Sequence, residues 1–280
     1  MKYGVSIIPN TGVMPITEIA AAVEERGLDV LFMGEHIHIP VKPRVPYPLP
    51  TMSPEYLKEL DLIVAMAGAA AVTRRIKLAS GVCLVTAHDP IILAKQFASL
   101  DVLSGGRVIV GLGTGWVSEI ETHGTAFEDR WQVFRERVEA IKAIWTGEQA
   151  EYHGRFVNFD PIYCPPKPVQ KPYPPLLLGV VNPATRHIDY LDGWFPPRMP
   201  LERFLEMLEQ LARRLETRGR DPESVRITVH QNFPERNFGT EMGTIDAFRE
   251  AGVERIVYRL TGLPAGRILP WLDQLARLSE

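Results

Sequence analysis

Short β-branched and aliphatic runs alternate along the chain with longer segments in which apolar residues recur every three to four positions. These are the periodicities of buried strands and amphipathic helices. Strand-like runs fall at Tyr3–Ile8, Val30–Gly34, Ile76–Val85, Val108–Gly113, Leu176–Val180, Gly193–Phe195, Arg226–His230 and Arg255–Leu260. A helix is predicted after each. The first, near Ile16–Arg26, gathers Ile16, Ile19, Ala20 and Val23 on one face and stops at Gly27, since glycine tolerates the positive φ of a helix end. The second carries Leu57, Leu60, Val64, Ala67 and Ala71. The third opens on Asp89-Pro90, a capping residue and a proline suited to the first helical position, and stops at Ser104-Gly105-Gly106. Trp131, Phe134, Val138, Ile141 and Trp145 mark the fourth; the rest fall near Pro183–Leu191, Leu201–Thr217, Thr244–Ala251 and Pro264–Leu278.

Eight strand–helix pairs with nearly continuous apolar strands predict an α/β fold of the (β/α)8 TIM barrel type, one domain over residues 1–280. An open doubly wound sheet is the alternative. Two insertions stand out: Ile39–Pro54 after the second strand, with six prolines, and about Gly147–Pro175 before the fifth. Connections this long in a compact domain tend to be functional, and the first follows a strand's C-terminal end, the active-site face of such a barrel.

Composition narrows the function classes. A formal charge of −3 and the absence of any Lys/Arg cluster give no basic surface for a phosphate backbone, so no nucleic-acid partner is expected. No run of 18 apolar residues exists, and no membrane span or signal peptide is expected. The two cysteines, Cys83 and Cys164, have no C-x-x-C spacing, a usage that suits the cytoplasm.

Chemistry gathers where strands end. "DVLFMGEHIHIP" delivers Glu35, His36 and His38 to the end of the second strand. An extended chain would point both histidines to one side and Glu35 to the other. As metal ligands they lack company, because the last four strands offer only His230 and no well-placed carboxylate, so no metal is expected. As an acid/base group facing a pocket, His36 would have Glu35 as its partner or as a cofactor contact. A rim histidine satisfied by backbone is the plain alternative. "GRVIVGLGTGW" ends in Gly111, Gly113, Thr114 and Gly115, and "LLLGVVNPATRH" places Gly179, Asn182-Pro183, Thr185 and Arg186 after the fifth strand. Both could cradle an anion through backbone N–H groups, or form ordinary turns and caps. Gly81 inside the third strand suggests a bulge.

The blocks "AAAVEERGLDVLFMGEHIHIP", "TRRIKLASGVCLV", "HDPIILAKQFASLDVLSGGRVIVGLGTGW", "PKPVQKPYPPLLLG" and "DGWFP" resemble the luciferase-like monooxygenase superfamily, in particular its branch of coenzyme F420-dependent oxidoreductases. The resemblance implies a deazaflavin, or alternatively FMN, at the C-terminal face of the barrel, hydride transfer to or from a small organic substrate, and a homodimer. By position it implies Glu35 and His36 beside the ring, with His36 as acid/base, and Gly81 and Val82 as a third-strand bulge, often a non-proline cis peptide, that backs the ring. It implies Thr114, Gly115 and Trp116 near the ribityl and phosphate portion, with Gly179 and Val180 at a fifth-strand pair that is usually Gly-Gly. Val180 and the altered "PATRHIDYLDGW" depart from the pattern. They admit a second reading, a non-catalytic relative with a degenerate cofactor site. Arg44 and Tyr47 in the proline-rich insertion are the candidate substrate wall, and Trp116 and Trp194 candidate aromatic liners.

Overall fold

The computed structural model describes residues 1–43, 54–183, 185–234 and 238–279. The strands in chain order are β1 (Lys2–Ile7), β2 (Val30–Met33), β3 (Lys77–Leu84), β4 (Val108–Gly113), β5 (Ala150–His153), β6 (Asn158–Ile162), β7 (Leu176–Leu178), β8 (Gly193–Trp194), β9 (Arg226–Asn232) and β10 (Arg255–Arg259). All but β5 and β6 form a closed barrel in the order β1-β10-β9-β8-β7-β4-β3-β2, with every barrel pairing parallel. This is the (β/α)8 architecture that the alternation predicts. The helices are α1 (Ile16–Glu25), α2 (Leu62–Val72), α3 (Pro90–Ser104), α4 (Val117–Thr122), α5 (Arg130–Thr146), α6 (Leu201–Thr217), α7 (Met242–Glu250) and α8 (Ala265–Arg277).

Strand alternation sorts side chains into two layers. Val30, Phe32, Ala79, Ile109, Leu177, Phe195 and Val257 plug the barrel interior. Their neighbours Val5, Ile7, Leu31, Met33, Leu78, Val110, Leu176, Leu178 and Ile256 join the helices in the surrounding core. Local signals set the helix ends. The Asp89 side chain accepts the N–H groups of Ile91 and Ile92, Pro90 takes the first turn, and Gly105 closes α3 at φ 69°.

Three expectations are corrected. Leu57 and Leu60 lie outside the second helix, and Val64 of the expected apolar face is exposed: residues Pro54–Lys58 form a 3₁₀ turn, and α2 starts at Leu62 because Asp61 caps it by accepting the Val64 N–H at 2.9 Å. The helix expected near Pro183–Leu191 is a 3₁₀ turn over Arg186–Tyr190. Ile188 within it and Leu191 just after it are the buried apolar residues, spaced by three, a separation that one three-residue turn spans, and Asn, Pro and Thr before it are poor helix formers. The insertion before the fifth barrel strand contains the antiparallel β5–β6 hairpin. Glu136 on α5 anchors that hairpin by accepting the N–H groups of Phe156 and Val157.

Candidate active site

Above the apolar plug, at the C-terminal ends of the strands, the barrel opens into a cavity of about 410 Å³. Its lining changes character around the barrel. On β2, β3, β4 and β7 the inward position after the plug residue is glycine: Gly34 follows Phe32, Gly81 follows Ala79, Gly111 and Gly113 follow Ile109, and Gly179 follows Leu177. On β1, β9 and β10 the corresponding positions are Ser6, His230 and Arg259. One arc is therefore flat and apolar, the other polar.

The glycines of the flat arc answer to Val82. The β3–β4 register shifts between Ser80 and Cys83, and the Gly81–Val82 peptide is cis, as the resemblance implies. A Cβ at Gly113 would lie 2.6 Å from Val82 Cγ2, one at Gly179 2.4 Å from Val82 Cγ1, and one at Gly111 2.3 Å from the Ser80 carbonyl oxygen. Gly111, Gly113 and Gly179 thus make room for the bulge rather than for an anion. Gly115 differs: at φ 75° it turns the chain into α4, where a Cβ would meet Ile120 at 2.7 Å.

His36 stands at the rim of this arc. Its Nδ1 lies 3.0 Å from Glu119 Oε2, and Glu119 Oε1 accepts the Ile37 N–H at 2.8 Å. A carboxylate accepts, so Nδ1 carries a proton. Nε2 has no hydrogen-bond partner among the described residues. The ring lies 4.4 Å from that of Trp116 and 5.1 Å from that of Tyr56. Glu59 accepts the His36 N–H at 2.9 Å through Oε1, while its buried Oε2 has no partner among the described residues. Burial, with Glu35 and Glu119 nearby, pushes the Glu59 carboxyl up to about 8 against the opposing His36 N–H.

Glu35 lines the cavity, but its carboxylate accepts the Leu84 N–H at 2.6 Å and bonds His88 Nε2 at 2.9 Å. It ties the end of β2 to that of β3. Cys83 joins this group, with a sulfur, an oxygen and a nitrogen within 4.8 Å of one another. Burial, with the Glu35 carboxylate beside it, pushes the Cys83 thiol well up, so it is protonated near neutral pH. His36 and His38 do not converge: His38 Nδ1 faces His123 Nε2 at 3.3 Å.

Gly81, Val82, Thr114, Gly115, Trp116 and Gly179 all line the cavity with Glu35 and His36. Val180 is absent from that lining; it packs against the surrounding core, and its carbonyl accepts the Trp194 Nε1–H at 2.8 Å. Trp194 is correspondingly no cavity liner but is fully buried, stacked on Phe204 of α6. Arg44 and Tyr47 lie outside the described residues. The sequence reading did not single out Ser6, Tyr56, Glu59, His88, Glu119, Arg259 or Thr261. Ser6 and Arg259 had a usable signal, as polar residues in phase with the inward positions of apolar strands. Glu119 had none, since an acid beside Ile120 in a short helix reads as a surface residue.

His230 bonds Ser6 Oγ at 2.7 Å through Nε2. Burial, then the charges of Arg259 and Arg198, hold its imidazole down to about 4, so it is neutral near pH 7. Arg259 donates to the Tyr56 hydroxyl at 3.3 Å.

Comparison with known proteins identifies the architecture's kin. The family model described as luciferase-like monooxygenase matches residues 5–233. An uncharacterised protein of Mycobacterium tuberculosis is 34% identical, with 99% of this chain and 98% of that protein covered. The FMNH(2)-dependent dimethylsulfone monooxygenase of Pseudomonas putida is 32% identical over 45% of this chain and 36% of its own length. The structure of coenzyme F420-dependent tetrahydromethanopterin reductase from Methanopyrus kandleri superposes with TM-score 0.77 at 16% identity, covering 99% of this chain and 98% of that one. With the model match spanning most of the barrel, the chain belongs to the luciferase-like monooxygenase family of oxidoreductases.

Proposed function

We propose that the protein is a coenzyme F420-dependent oxidoreductase that moves hydride between the deazaflavin ring and a small organic substrate. The observation that carries this reading is His36, oriented by Glu119 through Nδ1 at the rim of a glycine-lined cavity. The residues present fit a planar fused ring. Glycines 34, 81, 113 and 179 keep one arc flush, with Ile8, Val82 and Leu84 as its apolar surface. These residues would hold the ring, with Thr114 and Trp116 at its outer end. The bound group supplies the hydride chemistry. The chain's own part is to orient, to exclude water and to handle a proton. His36, protonated at Nδ1 and held by Glu119, lines the cavity with its Nε2 lone pair unpartnered among the described residues, so it can take a proton from a substrate hydroxyl or return one to a carbonyl oxygen. Trp116 and Tyr56 flank that imidazole and shield it from bulk water.

FMN is the second reading, favoured by the FMNH(2)-dependent relative. A homodimer and a cytoplasmic setting belong to the same proposal. The first rests on the resemblance; the second rests on two free, buried cysteines, with no helix among the described residues long and apolar enough to cross a membrane. Titrating the purified protein with F420 and with FMN, read by fluorescence, tests the assignment. Micromolar binding of F420, tighter than FMN, is expected; tighter FMN binding selects the second reading, and binding of neither leaves the non-catalytic relative.

A further inference from the structure

The polar arc of the cavity is not needed to seat a flat apolar ring, yet it is built from three adjacent strands. Ser6 pairs in register with Arg259 across β1 and β10, while His230 on β9 pairs with Val257, one inward step below Arg259. All three line the cavity, and Thr261 and Ile8 complete its edge.

Arg259 is the key. A guanidinium has five N–H donors in a planar fork that matches a carboxylate. Here it is half-buried at the strand end, and its one hydrogen bond among the described residues is to the Tyr56 hydroxyl at 3.3 Å. Cations withdrawn from water are ordinarily paired. The acids near the cavity are engaged elsewhere: Glu35 with Leu84 and His88, Glu119 with His36 and Ile37, and Glu59 with the His36 N–H. No carboxylate among the described residues forms an ion pair with Arg259. Arg198, exposed beside the lining residue Pro197, adds a second positive charge close enough to act on His230. The arc therefore carries positive potential over hydrogen-bonding groups, an arrangement that attracts and orients an anion.

We propose that Ser6, His230 and Arg259 form a subsite for the carboxylate of an acidic substrate, within the same cavity as His36. Arg259 grips the carboxylate, and the Ser6–His230 pair supplies a neutral hydrogen-bonding partner beside it. A neutral imidazole suits this place, because the wall then recognises one negative charge. The inference deepens the oxidoreductase reading and rests on it: it makes the substrate a small carboxylic acid whose reacting carbon is carried toward His36. The other source of a negative group is the cofactor's own ring edge, and the test separates the two.

Isobutyrate and isobutyramide, alike in shape and different in charge, are titrated calorimetrically into the protein alone and into the cofactor-loaded protein. Isobutyrate is expected to bind about tenfold or more tightly than the amide in both forms. Arg259→Gln should abolish that preference and leave cofactor affinity within about twofold, while Arg259→Lys retains part of it and Ser6→Ala weakens it a few-fold. Melting temperatures establish that each variant is folded; the lysine variant and Ser6→Ala keep the test open if the glutamine variant is not. Equal binding of acid and amide, or an unchanged preference in folded Arg259→Gln, overturns the proposal. So does loss of isobutyrate binding on cofactor loading, which assigns the arc to the cofactor's edge. If neither F420 nor FMN binds while the free protein still prefers isobutyrate through Arg259, the oxidoreductase reading fails and the subsite stands.

Discussion

Glu119 holds both His36 and its neighbour, taking the His36 Nδ1 at 3.0 Å with one oxygen and the Ile37 N–H at 2.8 Å with the other. Glu119 is fully buried, so the imidazole is fixed in orientation and in tautomer before any ligand arrives. The consequence is a division of labour. Nδ1 is structural, and Nε2 is the ring nitrogen without a hydrogen-bond partner among the described residues.

His36→Ala should therefore leave cofactor affinity within a few-fold and lower turnover by about 10²–10⁴, the usual contribution of a positioned acid/base group. Glu119→Gln should act through His36. It places an amide where an acceptor is needed for one of two donors, with a loss of about 1–3 kcal/mol in urea unfolding and a smaller fall in turnover than His36→Ala. Cofactor titration beside steady-state rates separates these outcomes; unchanged turnover in His36→Ala removes the residue from the proton-transfer role.

Val82 dictates the glycines around it. Gly113→Ala and Gly179→Ala each place a Cβ 2.6 and 2.4 Å from Val82 methyl carbons, and each should destabilise the fold by about 1–3 kcal/mol. Combining either with Val82→Ala removes the colliding methyls and should recover much of that loss. Additive losses in the double-mutant cycle would refute the steric account.

Glu59 makes stability fall as the solution becomes more basic. The folded protein keeps a proton on this carboxyl until about pH 8, whereas the unfolded chain releases it near the ordinary value of 4.5. The folded state binds more protons between those values, so stability is greatest below 4.5 and declines toward pH 8. Glu59→Gln keeps the shape and cannot ionise. It should flatten the decline, gaining on the order of 1–4 kcal/mol relative to wild type between pH 5 and pH 8.5 in urea unfolding. Parallel pH profiles for the two proteins would count against a protonated Glu59.

The barrel was legible in the sequence because its strands are buried on both faces and its helices on one, so the two periodicities separate cleanly. A bulge at Gly81 and the strand-end position of His36 were legible from the residues themselves, and the cis peptide at Gly81–Val82 through the resemblance. What escaped were contacts between residues distant in the chain. Glu119 meets His36 across 83 positions and Arg259 meets Tyr56 across 203, and no local pattern announces either. The glycines at 111–115 left an anion cradle and an ordinary turn open, and what decides their places is again distant in the chain: Gly111 and Gly113 admit the third-strand bulge, and Gly115 turns the chain. Val180, one of the two departures from the family pattern, has its backbone carbonyl engaged by Trp194 and is not part of the cavity lining.

His230 imposes the opposite pH dependence to Glu59, and on acid rather than base. In the unfolded chain its imidazole takes up a proton below the ordinary value of 6.5; in the folded protein, enclosed beside Ser6 and near Arg259 and Arg198, it stays neutral down to about 4. The unfolded state then binds more protons between pH 6.5 and 4, so the stability present above 6.5 is lost progressively on acidification. His230→Asn preserves a neutral group able to bond Ser6 and cannot charge in this range. Its unfolding free energy should therefore fall less steeply than that of wild type from pH 6.5 to 4, by up to about one proton per molecule in slope, with the neutral-pH value lowered by about 1 kcal/mol for the altered hydrogen bond. Because Glu59→Gln changes the limb from 4.5 to 8 and His230→Asn the limb from 4 to 6.5, the two variants measured together distinguish the groups even where their ranges overlap. An acid limb in His230→Asn as steep as in wild type would show that the imidazole is protonated in the folded protein, and would place a second positive charge beside Arg259.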